Sequence, residues 1–179
     1  LPSLAIPVSA TLPASDINHD LAEVPPALLV AERLHQLLQR EVPEANAATR
    51  SAAIAAAGGS PGGALDFVKL ELGDIYTLMQ RVVEEGDPHF SLRGELASKI
   101  GDRPARERQL AMLDLARGVL SRKARSTSPG AVNRLVEAHS ALVRLSAQAP
   151  TYNFDPGLLI SEIGNLLASA SVPREAAHG

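Results

Sequence analysis

Residues 52–67 read AAIAAAGGSPGGALDF, and the reading of this stretch decides the fold. Its alanine-rich first half is a strong helix former, because alanine loses no side-chain entropy in a helix. Gly58 and Gly59 stop that helix, since glycine takes the left-handed conformation that closes a helix at little cost. Ser60 then stands where an N-cap belongs, its hydroxyl able to accept from a free backbone N–H. Pro61 occupies the first helical position, where no N–H is required. The stretch is a helix end and a helix start joined by a tight corner.

Working outward, the same punctuation recurs along the chain. Residues 1–25 contain Pro2, Pro7, Pro13 and Pro25 without a sustained helical period, which predicts an irregular tail. From Pro26, Val30, Leu34, Leu37, Leu38 and Val42 recur at helical spacing with Leu29 alongside, predicting a helix that ends before Pro43. A second helix is predicted from Glu44 to Ala57 and a third from Ser60 to about Phe67 or beyond. After a break near Gly73, Ile75, Leu78, Met79, Val82 and Val83 carry helix to Glu85, where Gly86, Asp87 and Pro88 end it. A short helix follows around Leu92 to Ile100. A long one runs from Pro104 to about Arg125, with Leu110, Leu113, Ala116, Leu120 and Ala124 on its inner face.

Beyond the break at Ser128, Pro129 and Gly130, a helix from Ala131 to Gln148 is expected to point Val132, Leu135, Val136, Leu142, Val143 and Leu145 inward. The last starts with Asp155 as N-cap and Pro156 as first residue, with a stripe of Leu159, Ile160, Ile163, Leu166 and Leu167. No segment alternates with period two for long enough to make a strand. The expected fold is all-α, with a small helical unit over residues 26–67, a helical bundle over residues 68–171 and a tail over residues 172–179.

Composition agrees. Alanine (29) and leucine (26) fill much of a 179-residue chain whose aromatic content is only 3%, a helical rather than a strand-forming choice. Cysteine is absent, which excludes disulfides, thiolate zinc sites, iron–sulfur clusters and cysteine nucleophiles and makes a cytoplasmic location the default expectation. No apolar run approaches the roughly 18 to 20 residues that span a bilayer, and the start lacks a basic region followed by an apolar one, so neither membrane nor secretion is expected. Net charge is −3 but uneven: residues 1–100 hold 7 basic and 13 acidic groups, residues 101–179 hold 10 and 7. The most basic stretch, from Asp102 to Arg125, includes Arg103, Arg106, Arg108, Arg117, Arg122, Lys123 and Arg125. It reads as a solvated face complementing a helix dipole, with a weak nucleic-acid contact through the Arg103–Arg125 region as the alternative.

Few patterns carry chemistry. Gly58, Gly59, Ser60, Pro61 and Gly62 match G-x-S-x-G, but a nucleophile elbow needs a strand before the serine. Its oxyanion hole also uses the N–H of the next residue, and Pro61 has none. No lysine followed by serine or threonine comes after these glycines, and no phosphate-loop motif occurs, so ATP binding by this chain alone is not expected. His19, His35, His89, His139 and His178 never stand at metal-ligand spacing from one another. No metal, cofactor or catalytic residue is therefore assigned. Glu84, Glu85 and Asp87 read as a solvated turn rather than a catalytic pair, because adjacent carboxylates on a helix do not face each other. Tyr152, Asn153, Phe154 and Asp155 gather two of five aromatic residues at a helix start, either as a plug in the bundle with Asp155 as cap or as an edge that contacts a partner.

The stretch AAIAAAGGSPGGALDF at residues 52–67 resembles the end of the lid domain in bacterial clamp-loader proteins of the AAA+ class, in particular the delta-prime subunit family of DNA polymerase III. Its motif is Gly59, Ser60, Pro61 and Gly62. The segment YNFDPGLLISEIGNLLA at residues 152–168 resembles the end of the helical collar in the same family, and the likeness covers about Leu28 to Ser171. It implies a lid-like unit followed by a collar-like bundle that packs against neighbouring clamp-loader subunits in DNA replication, holding the ring that loads the sliding clamp on primed DNA. Two departures accompany it. ATP-hydrolysing members carry an arginine on the helix beginning at the position of Ser60, whereas here none precedes Arg81. The nucleotide-fold domain with its zinc-binding cysteines is also missing, so the chain is expected to be a C-terminal portion and itself non-catalytic. The alternative, from another class, is a stand-alone helical ligand-binding bundle or small helical enzyme. A buried polar cluster in a large pocket favours that alternative, and a filled core with an exposed apolar face favours assembly.

Overall fold

The computed structural model describes residues 25–130, 132–152 and 154–171. Among them are eight α-helices and no strand: α1 (Pro26–Glu41), α2 (Ala47–Ala57), α3 (Pro61–Lys69), α4 (Gly73–Glu85), α5 (Ser91–Ile100), α6 (Arg106–Arg125), α7 (Val132–Gln148) and α8 (Pro156–Ser169). The fold is all-α. The tails expected over residues 1–25 and 172–179 lie outside the described residues, apart from Pro25.

Local chemistry accounts for the corners. Asn46, rather than Glu44, starts α2, its side chain accepting from the Thr49 N–H at 2.8 Å. Gly58 ends α2 in the left-handed region at φ 57°, and Ser60 Oγ accepts from the Gly63 N–H at 3.1 Å to start α3. Asp155 caps α8 in the same way, accepting from the Leu158 N–H at 3.0 Å. The break between α3 and α4 falls earlier than the expected Gly73, which is already helical. Glu71 turns the chain there at φ 52°. Its N–H donates to Val68 O at 3.2 Å and the Leu72 N–H donates to Phe67 O at 3.0 Å, a Schellman closure with both Phe67 and Leu72 buried.

α1, α2 and α3 pack on one another, and α6 is their main joint with the rest, touching α2 and α3 on one side and α4, α7 and α8 on the others, while α2 also meets α4. One contiguous set of buried side chains runs through both units, from Leu34, Leu38, Ala53 and Phe67 to Met79, Leu120, Leu142 and Ile163. Phe67 of α3 meets Tyr76 of α4 edge to face, with centroids 5.7 Å apart, a contact worth about 1 kcal/mol beyond the area it buries. At the crossing of α6 and α2, a Cβ added to Gly118 would stand 3.3 Å from Ala56 O, so the small residue sets how closely the two helices approach.

The stripes of α4 and α8 face the core as the spacing predicts. Two others differ. In α1, Leu29 and Val30 are exposed and burial begins at Leu34. In α7 only Leu135, Ala138 and Leu142 are buried, while Val136 is 53% exposed and Val143 39% exposed. α7 packs mainly on α6 and α8, and among the described residues no helix covers its far side.

Candidate functional site

The family-like motif and the basic stretch meet in space. Gly58, Ser60, Gly62 and Gly63, at the α2–α3 corner, form one wall of a cleft of about 610 Å³ whose floor is α6 and whose lining includes Asp114, Arg117, Gly118, Ser121, Arg122 and Arg125. The corner lacks the frame of a nucleophile elbow: a helix rather than a strand precedes Ser60, its oxygen accepts the Gly63 N–H, and Pro61 offers no oxyanion donor.

Arg122 is not a solvated base. Its guanidinium donates to the carbonyl oxygens of Ala55 and Ala56 in the last turn of α2 and lies 5.4 Å from the centre of the Tyr76 ring. The last carbonyls of a helix lack intrahelical partners and carry its negative pole, so a cation from α6 both satisfies them and complements the dipole. Arg106 does the same at the other end of the bundle, donating through Nη2 to Ala149 O and Pro150 O in the turn between α7 and α8. Arg117 pairs with Asp114 at 2.9 Å, and Arg125 donates to the Ser121 hydroxyl at 3.4 Å. The basic stretch is thus partly spent on the fold.

The acidic turn is also different from a solvated one. Asp87 is 6% exposed and is the buried charged residue among those described. Its carboxylate accepts from Leu92 N–H at 3.1 Å, Arg93 N–H at 3.0 Å and Arg93 Nε at 2.9 Å, which caps α5. Burial pushes this carboxyl upward, but the hydrogen bonds from Arg93 and Leu92 and the Arg93 charge outweigh it and hold the group below its ordinary value. Glu84 and Glu85 remain exposed, and Glu85 pairs with Arg81 at 2.9 Å. On the surface, Lys99 donates to Asp74 at 2.8 Å, and that hydrogen bond and charge lower the Asp74 carboxyl and raise the Lys99 amine.

The aromatic edge divides. Tyr152 is 61% exposed, whereas Phe154 is half-buried against the core, with ring centroids 6.1 Å apart. Asp155 serves as the α8 cap, and Asn153 lies outside the described residues. Leu158, in the first turn of α8, is 72% exposed. Sequence reading missed the roles of Arg122 and Arg93: the carbonyls that Arg122 meets on α2 and the Asn165 that Arg93 reaches on α8 stand far along the chain, and the pairing of Arg93 with nearby Asp87 depends on the turn that leads into α5.

His35 shares a hydrogen bond with Gln39 at 3.0 Å, His89 is exposed, and His139 lies in the cleft. Among the described residues no group of three or more histidine or acidic side chains is placed to hold a metal ion, and no helix is long and apolar enough to cross a membrane. Comparison with models of protein families, with curated proteins and with solved structures finds no match to the chain.

Proposed function

We propose that the chain is a non-catalytic assembly module, the lid and collar portion of a clamp-loader subunit resembling delta-prime of DNA polymerase III, which holds neighbouring subunits in the ring that loads the sliding clamp on primed DNA. A cytoplasmic site of action belongs to the same reading. The observation that carries it is the division of the surface. The interior is filled by one apolar core, while large apolar side chains stand exposed at Leu28 and Leu29, at Val136 and Val143, and at Tyr152 and Leu158. Exposed apolar groups gathered at separate places on a small helical body are what a subunit with several neighbours presents.

The rival reading, a ligand-binding bundle or small enzyme, calls for buried polar groups converging in a pocket. Asp87, the buried charged group described here, is consumed by Arg93 and by the α5 N-terminus. The test is reconstitution of the chain with the other clamp-loader subunits, followed by sedimentation or native mass measurement. A stable complex is expected, and one that survives deletion of residues 104–168 would remove the claim that this region carries assembly. Titration with ATP and magnesium should give no binding tighter than about 10 μM, near −7 kcal/mol.

A further inference from the structure

We propose that the trough formed by α6 and α7, walled on its far side by the start of α3, docks one acidic amphipathic helix of a partner protein. The proposal deepens the assembly reading and rests on it for the source of that helix. It begins with the valines that do not face the core. Val132, Val136, His139 and Val143 stand at alternating spacings of four and three along α7 and therefore share one side of it. The core is served by a different side, through Leu135, Ala138 and Leu142. A second apolar stripe with this spacing, exposed at Val136 and Val143, is the seam on which another helix packs.

The neighbouring helix shapes room for it. A groove of about 360 Å³ between α6 and α7 is floored by Leu120, Ala124 and Leu135, and it joins the larger cleft through Ser121, Arg125 and His139, which line both. Ser121 and Ala124 are small and keep the α6 side of this groove low, which leaves room for a helix laid along it.

Charge selects the partner. Arg117, Arg122, Arg125 and His139 line the trough together with Asp66 of α3 and Asp114 of α6. Arg117 is matched by Asp114 and Arg122 is held by carbonyl oxygens, but Arg125 has no carboxylate partner among the described residues, and the buried Nε atoms of Arg117 and Arg122 are unpartnered. A carboxylate on the flank of a docked helix meets an unspent cation at Arg125, whereas a lysine there would meet like charge. A nucleic-acid strand fits less well, since Asp66 and Asp114 interrupt the positive surface and Phe67, the one benzenoid ring in the lining, is buried, which leaves only the His139 imidazole for a base to stack on.

The probe is a fluorescein-labelled synthetic peptide of about twenty residues with leucine at its heptad seam and glutamate on its flanks, titrated with the full chain and read by anisotropy. The same peptide with lysine for glutamate should bind at least about tenfold more weakly. Val136→Asp with Val143→Asp, and separately Arg125→Glu, should each weaken the glutamate peptide about tenfold while circular dichroism stays unchanged, because all three side chains are exposed. Equal binding of the two peptides, absence of binding, unaltered binding by both variants, or displacement by a single-stranded oligonucleotide would overturn the proposal. So would a self-association of the free chain that Val136→Asp abolishes, since the occupant would then be a second copy. In the reconstituted complex, assembly undisturbed by either variant refutes the trough and leaves the assembly reading standing. Peptide binding without assembly upholds the trough and refutes its source.

Discussion

Arg93 Nε lies 2.9 Å from Asp87 Oδ2, and the same guanidinium reaches Asn165 Oδ1 through Nη1 at 2.7 Å, so one ion pair ties the α4–α5 corner to α8. The flat face of Arg93 also covers the Phe90 ring at 4.0 Å from its centre. Because the carboxylate is buried and accepts backbone donors as well, removing it strands both a cation and the first N–H groups of α5. Asp87→Ala is expected to cost about 3 kcal/mol of stability, measured by urea unfolding.

The same pair gives a pH dependence whose sign follows from the direction of the shift. The folded-state pKa of Asp87 is lowered from 3.8, so its contribution is fully present above about that value and is lost as pH falls through the lower folded-state value. The stability difference between the native chain and Asp87→Asn should therefore be constant at neutral pH and shrink below about pH 4. A difference that instead grew on acidification would contradict the ionised pair.

Arg122 is the clasp between α6 and the end of α2. Arg122→Ala leaves the carbonyls of Ala55 and Ala56 without these donors and should destabilise by about 2 kcal/mol. The loss should be local as well as global. Amide exchange in α2 and α3 should quicken more than in α8, and uniform change across all helices would show that Arg122 acts only through general packing.

Glu71 holds a left-handed conformation that glycine adopts without strain, and it does so at the C-terminal turn of α3, where glycine is the common choice. Glu71→Gly should raise stability by about 1 kcal/mol, seen as a higher unfolding midpoint. Glu71→Val should lower it, because a β-branched side chain suits that backbone least.

These cases show what a sequence of this kind discloses. The corners at Ser60–Pro61 and Asp155–Pro156 were legible because capping is local: serine or aspartate, then proline, then helix, each satisfying its own backbone donors within three residues. The turn at Glu71 was not, since a glutamate in a left-handed position gives no local signal and nearby Gly73 drew the break toward itself. Val136 and Val143 were misassigned for a different reason. On α7 apolar residues occupy more than one side, and periodicity alone does not say which side a neighbouring helix covers. The joint between α6 and α2 was invisible because Arg122 and Ala55 are far apart in the chain and meet only after the helices pack. The motif at residues 59–62 was readable as a corner; its place on the wall of a cleft was not.

The aromatic edge gives the last test, because exposure separates two rings that the sequence treats alike. Tyr152 is largely exposed, whereas Phe154 packs against the core near Leu159 and Leu110. Tyr152→Ala should change stability by no more than about 0.5 kcal/mol, as surface substitutions do. If the ring anchors a neighbouring subunit, the same change should weaken association by about 1 to 3 kcal/mol. Phe154→Ala removes a half-buried ring and should cost about 2 kcal/mol of stability, below the loss for a fully buried phenylalanine. Melting temperature and binding to reconstituted clamp-loader subunits, measured on both variants, distinguish the roles. A Tyr152→Ala chain that melts and assembles like the native one would take this edge out of the interface and leave the assembly reading to the α6–α7 trough and the exposed start of α1.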